Sequence, residues 1–356
     1  MKIGFPHMGN IYIAMETFLK PFCTSVITPP RPTRKSVEFG VRHCPEFTCF
    51  PMKGTLGDLL MALEMGADTL WWFEGAWSCR FGYYGRIQHQ ILKDMGYKFN
   101  SVILGGDLKT AIKDILRNAR FKIPELMKYI RLSWYKSKLV ELTENLSRKT
   151  TPYQKNPRET KRVADKAFKM IRESENISKL KRLSPKIESM FNSIPKDNTR
   201  EPLKIWLMGE VYMVLEPEFN FRLVEYLGEH EVLVTPYINV HEWLFRFIGT
   251  HKRGENGENV AKKLAKPYLP YCLGGEGQNS IGYTILAKKR GYDGVIHLRP
   301  FTCMTENVAH PIIHNISQEY EIPVISFALD EHTENVGFFT RVEAFLELIH
   351  QRRWYR

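Results

Sequence analysis

The chain lacks long apolar runs. No stretch reaches the roughly 18 apolar residues that a membrane-spanning helix needs. The opening residues, Met1-Lys2-Ile3-Gly4-Phe5-Pro6-His7, contain no apolar segment of secretory-signal length. The expectation is a soluble, cytoplasmic protein with no membrane partner. The sequence also lacks the glycine-lysine signature of a P-loop, the GxGxxG of a dinucleotide fold and any HExxH metal motif. Close cysteine pairs are scarce. Structural zinc sites usually set two cysteines two to four residues apart. Here only Cys44 and Cys49, with four residues between them, come near that spacing. Without a secretory segment, a disulfide framework is not expected either.

What is present is an ordinary globular composition, 43% hydrophobic and 25% charged over 356 residues. That length suits two or three domains, each with its own core. The formal charge is +12, concentrated between about Lys109 and Lys196. Runs such as Lys161-Arg162-Val163-Ala164-Asp165-Lys166 read as solvated helical faces. An acidic partner or a nucleotide is the competing explanation, and a nucleic-acid role ranks last.

Strand-like and helix-like patterns alternate over residues 1–106. A basic, helical segment punctuated by prolines follows over 107–202, and the alternation returns over 203–356. This predicts an α/β protein: two doubly wound parallel-sheet domains with a basic helical insertion between them. The two α/β parts resemble each other. Gly66-Ala67-Asp68-Thr69 and Gly291-Tyr292-Asp293-Gly294 each lead into an apolar strand, a short turn, a cysteine and a helix. Cys79 follows its glycine by 13 residues and Cys303 by 12, while Cys49 and Cys272 precede the same glycines by 17 and 19.

Cys79 and Cys303 thus fall between a strand and a helix, at the sheet edge where α/β proteins bind ligands. A thiolate at a helix start is stabilised by the helix dipole and by free N–H groups, which can also donate to cluster sulfides. Arg80 and Arg299 would add positive charge there. Cys49 opens another helix, and Phe47-Thr48-Cys49 recurs as Phe301-Thr302-Cys303. Cys44 is an extra ligand or merely a neighbouring thiol. The glycines of Cys272-Leu273-Gly274-Gly275-Glu276-Gly277 could wrap a cluster or a phosphate, or simply form a tight turn and helix cap. The histidines His7, His43, His297, His310, His314 and His332 show no paired spacing; His7 and His332 follow strands and could line the same cleft, although such histidines are more often structural.

Together, Phe5-Pro6-His7-Met8-Gly9-Asn10, Pro45-Glu46-Phe47-Thr48-Cys49, Cys79-Arg80-Phe81-Gly82-Tyr83-Tyr84, Gly274-Gly275-Glu276-Gly277, Arg299-Pro300-Phe301-Thr302-Cys303 and Leu329-Asp330-Glu331-His332-Thr333 resemble iron–sulfur proteins related to 2-hydroxyacyl-CoA dehydratase and benzoyl-CoA reductase components. The branch they resemble is the CoA protein activase-related one. The resemblance implies a cluster between two doubly wound domains, with three cysteines per 4Fe–4S unit and an open iron for a small-molecule substrate. It implies reduction by a separate ATP-dependent activator of actin/Hsp70-like fold. Carried over by position, Cys49, Cys79 and Cys303 are the first choices as ligands, Cys44 and Cys272 the second. Some relatives carry a double-cubane 8Fe–9S cluster on six cysteines; the sixth here, Cys23, has no motif around it. The bulky run Trp71–Trp77 would narrow the cleft against a CoA thioester. The resemblance leaves open whether the chain is itself a dehydratase- or reductase-like enzyme component and whether it is a homodimer. The competing class is a non-catalytic α/β protein that clamps an anion or a partner protein, with structural cysteines or zinc.

Overall fold

The computed structural model describes residues 1–73, 79–104, 113, 123–245 and 257–354. Strands β1 (Lys2–Gly4), β2 (Ser25–Ile27), β3 (Thr69–Phe73) and β4 (Asn100–Leu104) form a parallel sheet in the order β2-β1-β3-β4. Strands β5 (Leu203–Gly209), β6 (Val232–Pro236), β7 (Gly294–Pro300) and β8 (Val324–Leu329) form a second parallel sheet in the order β6-β5-β7-β8. The described helices, in chain order, begin with α1 (Tyr12–Leu19), α2 (Arg34–His43), α3 (Phe50–Glu64), α4 (Phe81–Asp94) and α5 (Ile123–Thr150). They continue with α6 (Glu159–Glu173), α7 (Ile177–Asn192), α8 (Val211–Leu215), α9 (Leu223–Glu229) and α10 (Val240–Leu244). The last are α11 (Glu258–Ala265), α12 (Gly277–Lys289), α13 (Met304–Glu319) and α14 (Asn335–Trp354). Two parallel sheets flanked by helices are the α/β architecture that the alternating pattern predicts. Among the described residues no helix is long and apolar enough to cross a membrane.

The chain divides into two units. The first comprises Met1–Ser147, Thr160–Ile194 and Val240–Ile248, the second Arg148–Glu159, Pro195–Asn239 and Gly249–Arg356.

In the first unit, successive residues of β3 serve opposite faces of the sheet, as strand alternation requires. Leu70 packs with Leu56 and Leu59 of α3 and Leu92 of α4. Trp71 packs instead on Phe18 and Phe22, at ring separations of 6.1 and 5.1 Å. Both faces are therefore covered, which is why the strand reads as a continuous apolar run. Of the bulky run Trp71–Trp77, Trp71 and Trp72 lie in this core, and Glu74–Ser78 fall outside the described residues. Helix α2 is polar enough to escape a hydrophobic-period reading, but its start is encoded. Thr33 and Ser36 form a reciprocal capping box, with the Ser36 N–H donating to Thr33 Oγ1 at 3.2 Å. The basic helices join this unit through specific bonds: Ser133 Oγ of α5 donates to the Ala14 carbonyl at 2.9 Å, and Arg172 of α6 pairs with Glu16 at 2.7 Å. Part of the positive charge is thus held in ion pairs, including Lys161–Asp165 at 3.0 Å and Lys20–Glu175 at 2.5 Å.

The second unit repeats the first closely. Its core gathers Trp206 and Met208 of β5, Val295 of β7, Ile281 and Ile285 of α12, and Ile313 and Ile316 of α13. Gly66 and Gly291 both turn the chain from helix into strand at positive φ, +95° and +70°, which a side chain would strain. Two residues on, Asp68 accepts from the Lys2 N–H at 2.8 Å while its own N–H donates to the Lys2 carbonyl at 3.0 Å. Asp293 makes the same pair of bonds with Lys204, at 2.8 and 2.9 Å. Nine residues before each turn glycine, Gly57 and Gly282 let the preceding helix touch backbone to backbone. A Cβ on either would lie 2.0 Å from the Ser36 carbonyl oxygen or 1.9 Å from that of Ala261. The repeat seen in the glycine and cysteine spacing is therefore a repeat of structure.

Candidate metal centre

In both sheets the strand order reverses beside the first strand, so the switch point lies between β1 and β3 and between β5 and β7. Ligands of open parallel sheets bind at the carboxyl ends of the strands flanking such a point. Cys79 follows β3 and Cys303 follows β7, so both lie on that edge of their own sheet.

In the first unit Cys49 is the buried N-cap of α3, and its carbonyl accepts from the Met52 N–H at 2.9 Å. Cys79 is half-buried, and its carbonyl accepts from the Gly82 N–H in the first turn of α4 at 3.1 Å. Arg80 joins the two segments: its Nη1 donates to the Phe47 carbonyl at 2.8 Å, two residues before Cys49. Cys44 has a different setting. It closes the carboxyl end of α2, its N–H donates to the Gly40 carbonyl, and it packs against the α3 core. The dipole there disfavours a thiolate. Cys23 Sγ donates to the Leu19 carbonyl at 3.2 Å in a helix-to-strand turn. His7 is buried, its N–H donates to the buried carboxylate of Asp58 at 3.0 Å, and its ring stacks on Tyr12.

In the second unit Cys303 is the buried N-cap of α13. Its N–H donates to the Pro300 carbonyl at 3.0 Å, its carbonyl accepts from the Asn307 N–H at 3.0 Å, and its Sγ lies 3.7 Å from Thr305 Oγ1. The glycine-rich loop rests on this turn. A Cβ on Gly275 would come within 2.7 Å of Thr305 Oγ1, and one on Gly277 within 2.3 Å of the Thr305 carbonyl oxygen. These glycines let the loop lie against the helix start that carries Cys303. Between them, the buried Glu276 caps α12 and accepts from Asn279 Nδ2 at 2.6 Å. Cys272 is exposed and precedes Glu276 by four residues. The match of Cys49 with Cys272 is therefore looser than that of Cys79 with Cys303, because Cys49 itself occupies the cap of its helix. Phe47 and Phe301, which open the repeated triplet, are 72% and 58% exposed, so both triplets sit at the surface beside a buried thiol.

Behind Cys303 lies a buried polar group that sequence reading did not assemble. His297 of β7 is fully buried, with Nε2 at 2.8 Å from Glu306 Oε2 and Nδ1 at 2.8 Å from Ser326 Oγ on the adjacent strand. Glu306 Oε1, Arg299 Nε and His310 Nδ1 are buried with no hydrogen-bond partner among the described residues. Burial pushes the Arg299 guanidinium below its ordinary value, and the charges of Glu306 and Cys303 oppose that. Burial and the charges of Arg299, His297 and His314 push His310 down. The sequence offers His297, Arg299 and His310 singly, and no local pattern joins them to each other or to Glu306. His332 lies in an exposed turn, where its N–H donates to Asp330 Oδ1.

The Cys303 turn fits a sulfur-ligated metal in its chemistry: a buried thiol at a helix start, a glycine loop pressed against it, and a guanidinium N–H with no partner. Among the described residues no three His, Cys, Asp or Glu side chains are grouped so as to hold a metal ion.

The sequence model of the family described as 2-hydroxyglutaryl-CoA dehydratase, D-component, matches residues 104–349. The matched region holds Cys272, Cys303 and the glycine loop; Cys44, Cys49 and Cys79 precede it. Among curated proteins none matches the chain.

Proposed function

Because the chain belongs to the family of the 2-hydroxyglutaryl-CoA dehydratase D-component, we propose that it is an iron–sulfur protein whose cluster is held by Cys49, Cys79 and Cys303. The observation that carries this reading is the repeated order of parallel strand, cysteine and helix, with Cys79 between β3 and α4 and Cys303 between β7 and α13. Cys303 is the firmer of the two, being buried and cradled by Gly275 and Gly277. A 4Fe–4S cluster bound there supplies a low-potential electron and an iron with an open position. The chain's own part is to present thiolates at helix starts, where dipole and N–H groups favour the anion, and to surround them with protein that excludes water. Held by these thiolates, a cluster would supply low-potential electron transfer, with a separate ATP-hydrolysing activator as its reductant and a small substrate or a further acceptor as the recipient. Cys44 and Cys272 are secondary ligands at most, because one closes a helix at its carboxyl end and the other is exposed.

The test is anaerobic purification followed by iron and sulfide analysis, with EPR on the reduced protein. Brown protein with near-equal iron and sulfide, lost in Cys303→Ser, supports the reading. Colourless protein with stoichiometric zinc and no iron defeats it. The second reading is a binding protein with structural thiols, which the lack of a gathered three-ligand group among the described residues favours. It predicts that Cys→Ser changes at Cys49, Cys79 and Cys303 leave function intact.

A further inference from the structure

Arg299 stands four residues before Cys303 on the strand that delivers the thiol. Its Nη1 donates to Asn307 Oδ1. Asn307 is itself fixed to the cysteine's turn: its N–H donates to the Cys303 carbonyl at 3.0 Å and its Nδ2 to the Phe301 carbonyl at 2.8 Å. One asparagine therefore holds the guanidinium against the backbone that carries Cys303. The Arg299 Nε is buried and has no hydrogen-bond partner among the described residues. The nearby carboxylate of Glu306 gives its Oε2 to His297, while its Oε1, like the Arg299 Nε, has no hydrogen-bond partner among them. A half-buried cation with an unused N–H is poorly satisfied unless an anion completes it. In the first unit Arg80, beside Cys79, is exposed and directs its Nη1 to the Phe47 carbonyl.

We propose that Arg299, aimed by Asn307, donates to the sulfur centre at Cys303 and sets its reduction potential. This rests on the cluster reading above. Reduction adds one negative charge to the cluster. A fixed positive charge in a water-poor setting favours the more negative state, and a hydrogen bond to a cluster sulfur acts in the same direction.

The experiment is a potentiometric EPR titration of the anaerobic holoprotein as wild type, R299Q, R299K and N307A, each assayed for iron and sulfide. R299Q is expected to lower the reduced-to-oxidised ratio at a fixed potential about tenfold, a downward shift of about 59 mV for one electron. R299K restores most of that, and N307A falls between. Full iron and sulfide with an unshifted potential in both R299Q and N307A overturns the proposal. If R299Q does not fold, R299K and N307A decide the matter: both keep the charge, R299K keeps the turn intact, and N307A removes the Arg299 anchor together with the bond to the Phe301 carbonyl. A wild type without iron and sulfide ends the cluster reading and this inference together, and that outcome is seen in the metal assay rather than in the potential.

Discussion

His297 and Glu306 are separated by nine residues in sequence, yet their Nε2 and Oε2 atoms lie 2.8 Å apart with both side chains fully buried. Removing one partner of such a pair leaves the other unsatisfied in the core, which costs about 1–3 kcal/mol. Glu306→Ala is therefore expected to lower the stability of the second unit by about that much. Glu306→Gln keeps a hydrogen-bonding partner for the imidazole and should cost less. Urea denaturation followed by circular dichroism checks the order; equal stability of E306A and wild type would refute it.

The same pair marks where the sequence stops being legible. Gly66, Gly291, Cys79 and Cys303 announce the repeat because turn geometry and helix starts are local properties of the chain. Strands β2, β3 and β7 and helix α1 follow from apolar runs and their periods for the same reason. The partners of His297 come from the next helix and from Ser326 on a strand whose pairing is a long-range fact, so no local pattern could supply them. Cys49 and Cys272 look equivalent by spacing, and only the helix caps separate them: the second helix begins at Gly277, four residues further from its cysteine than the first does from its own. Helix α2 was hidden by its polarity, although Thr33 and Ser36 were there to be read as a cap.

The glycine loop should tolerate no side chain at Gly277. A Cβ there would meet the Thr305 carbonyl oxygen, a backbone atom, at 2.3 Å, so the first turn of α13 must move. Gly277→Ala is expected to cost roughly 1–3 kcal/mol as an overpacking change and to reduce iron retention with it. Gly337→Ala is the internal contrast: nothing lies within 4 Å of its Cβ position in α14. It should gain roughly 0.4–1 kcal/mol from the alanine's lower unfolded-state entropy. Thermal melts of the two variants beside wild type, with iron assays, check both signs.

The cysteines should differ in consequence. Cys303→Ser removes a buried thiol at a helix start and is expected to abolish bound iron. Cys272→Ser changes an exposed residue four positions ahead of its helix cap and should keep most of it. Cys23→Ser, in a turn where the thiol donates to the Leu19 carbonyl, should leave the metal content unchanged. Iron-to-protein ratios after anaerobic purification decide the ranking, and equal loss in C272S and C303S would show that exposure is a poor guide to ligation here.

The first unit should weaken in mild acid, and the reason is a pair of histidines. Burial, with Lys93 nearby, pushes His89 down to about 4, and burial, with Lys138 nearby, pushes His241 down to about 4, from an ordinary 6.5. In the unfolded chain each imidazole takes up its proton near pH 6.5, whereas in the folded chain it does so only near pH 4. Between those values the unfolded state binds more protons, so stability is complete above the upper value and is lost as the pH falls toward the lower one. Each histidine contributes up to about 1.4 kcal/mol per pH unit, or roughly 2 kcal/mol on going from about pH 6.5 to about pH 5. The two differ in what they would tolerate. His241 Nδ1 is 2.7 Å from Ser137 Oγ, while neither nitrogen of His89 has a partner, so His89 loses no hydrogen bond when replaced. His89→Leu is therefore expected to remove about half of the acid slope without lowering stability near neutrality. Urea midpoints of H89L and wild type across this pH range test it, and parallel curves would mean that His89 is not charged on unfolding in that window.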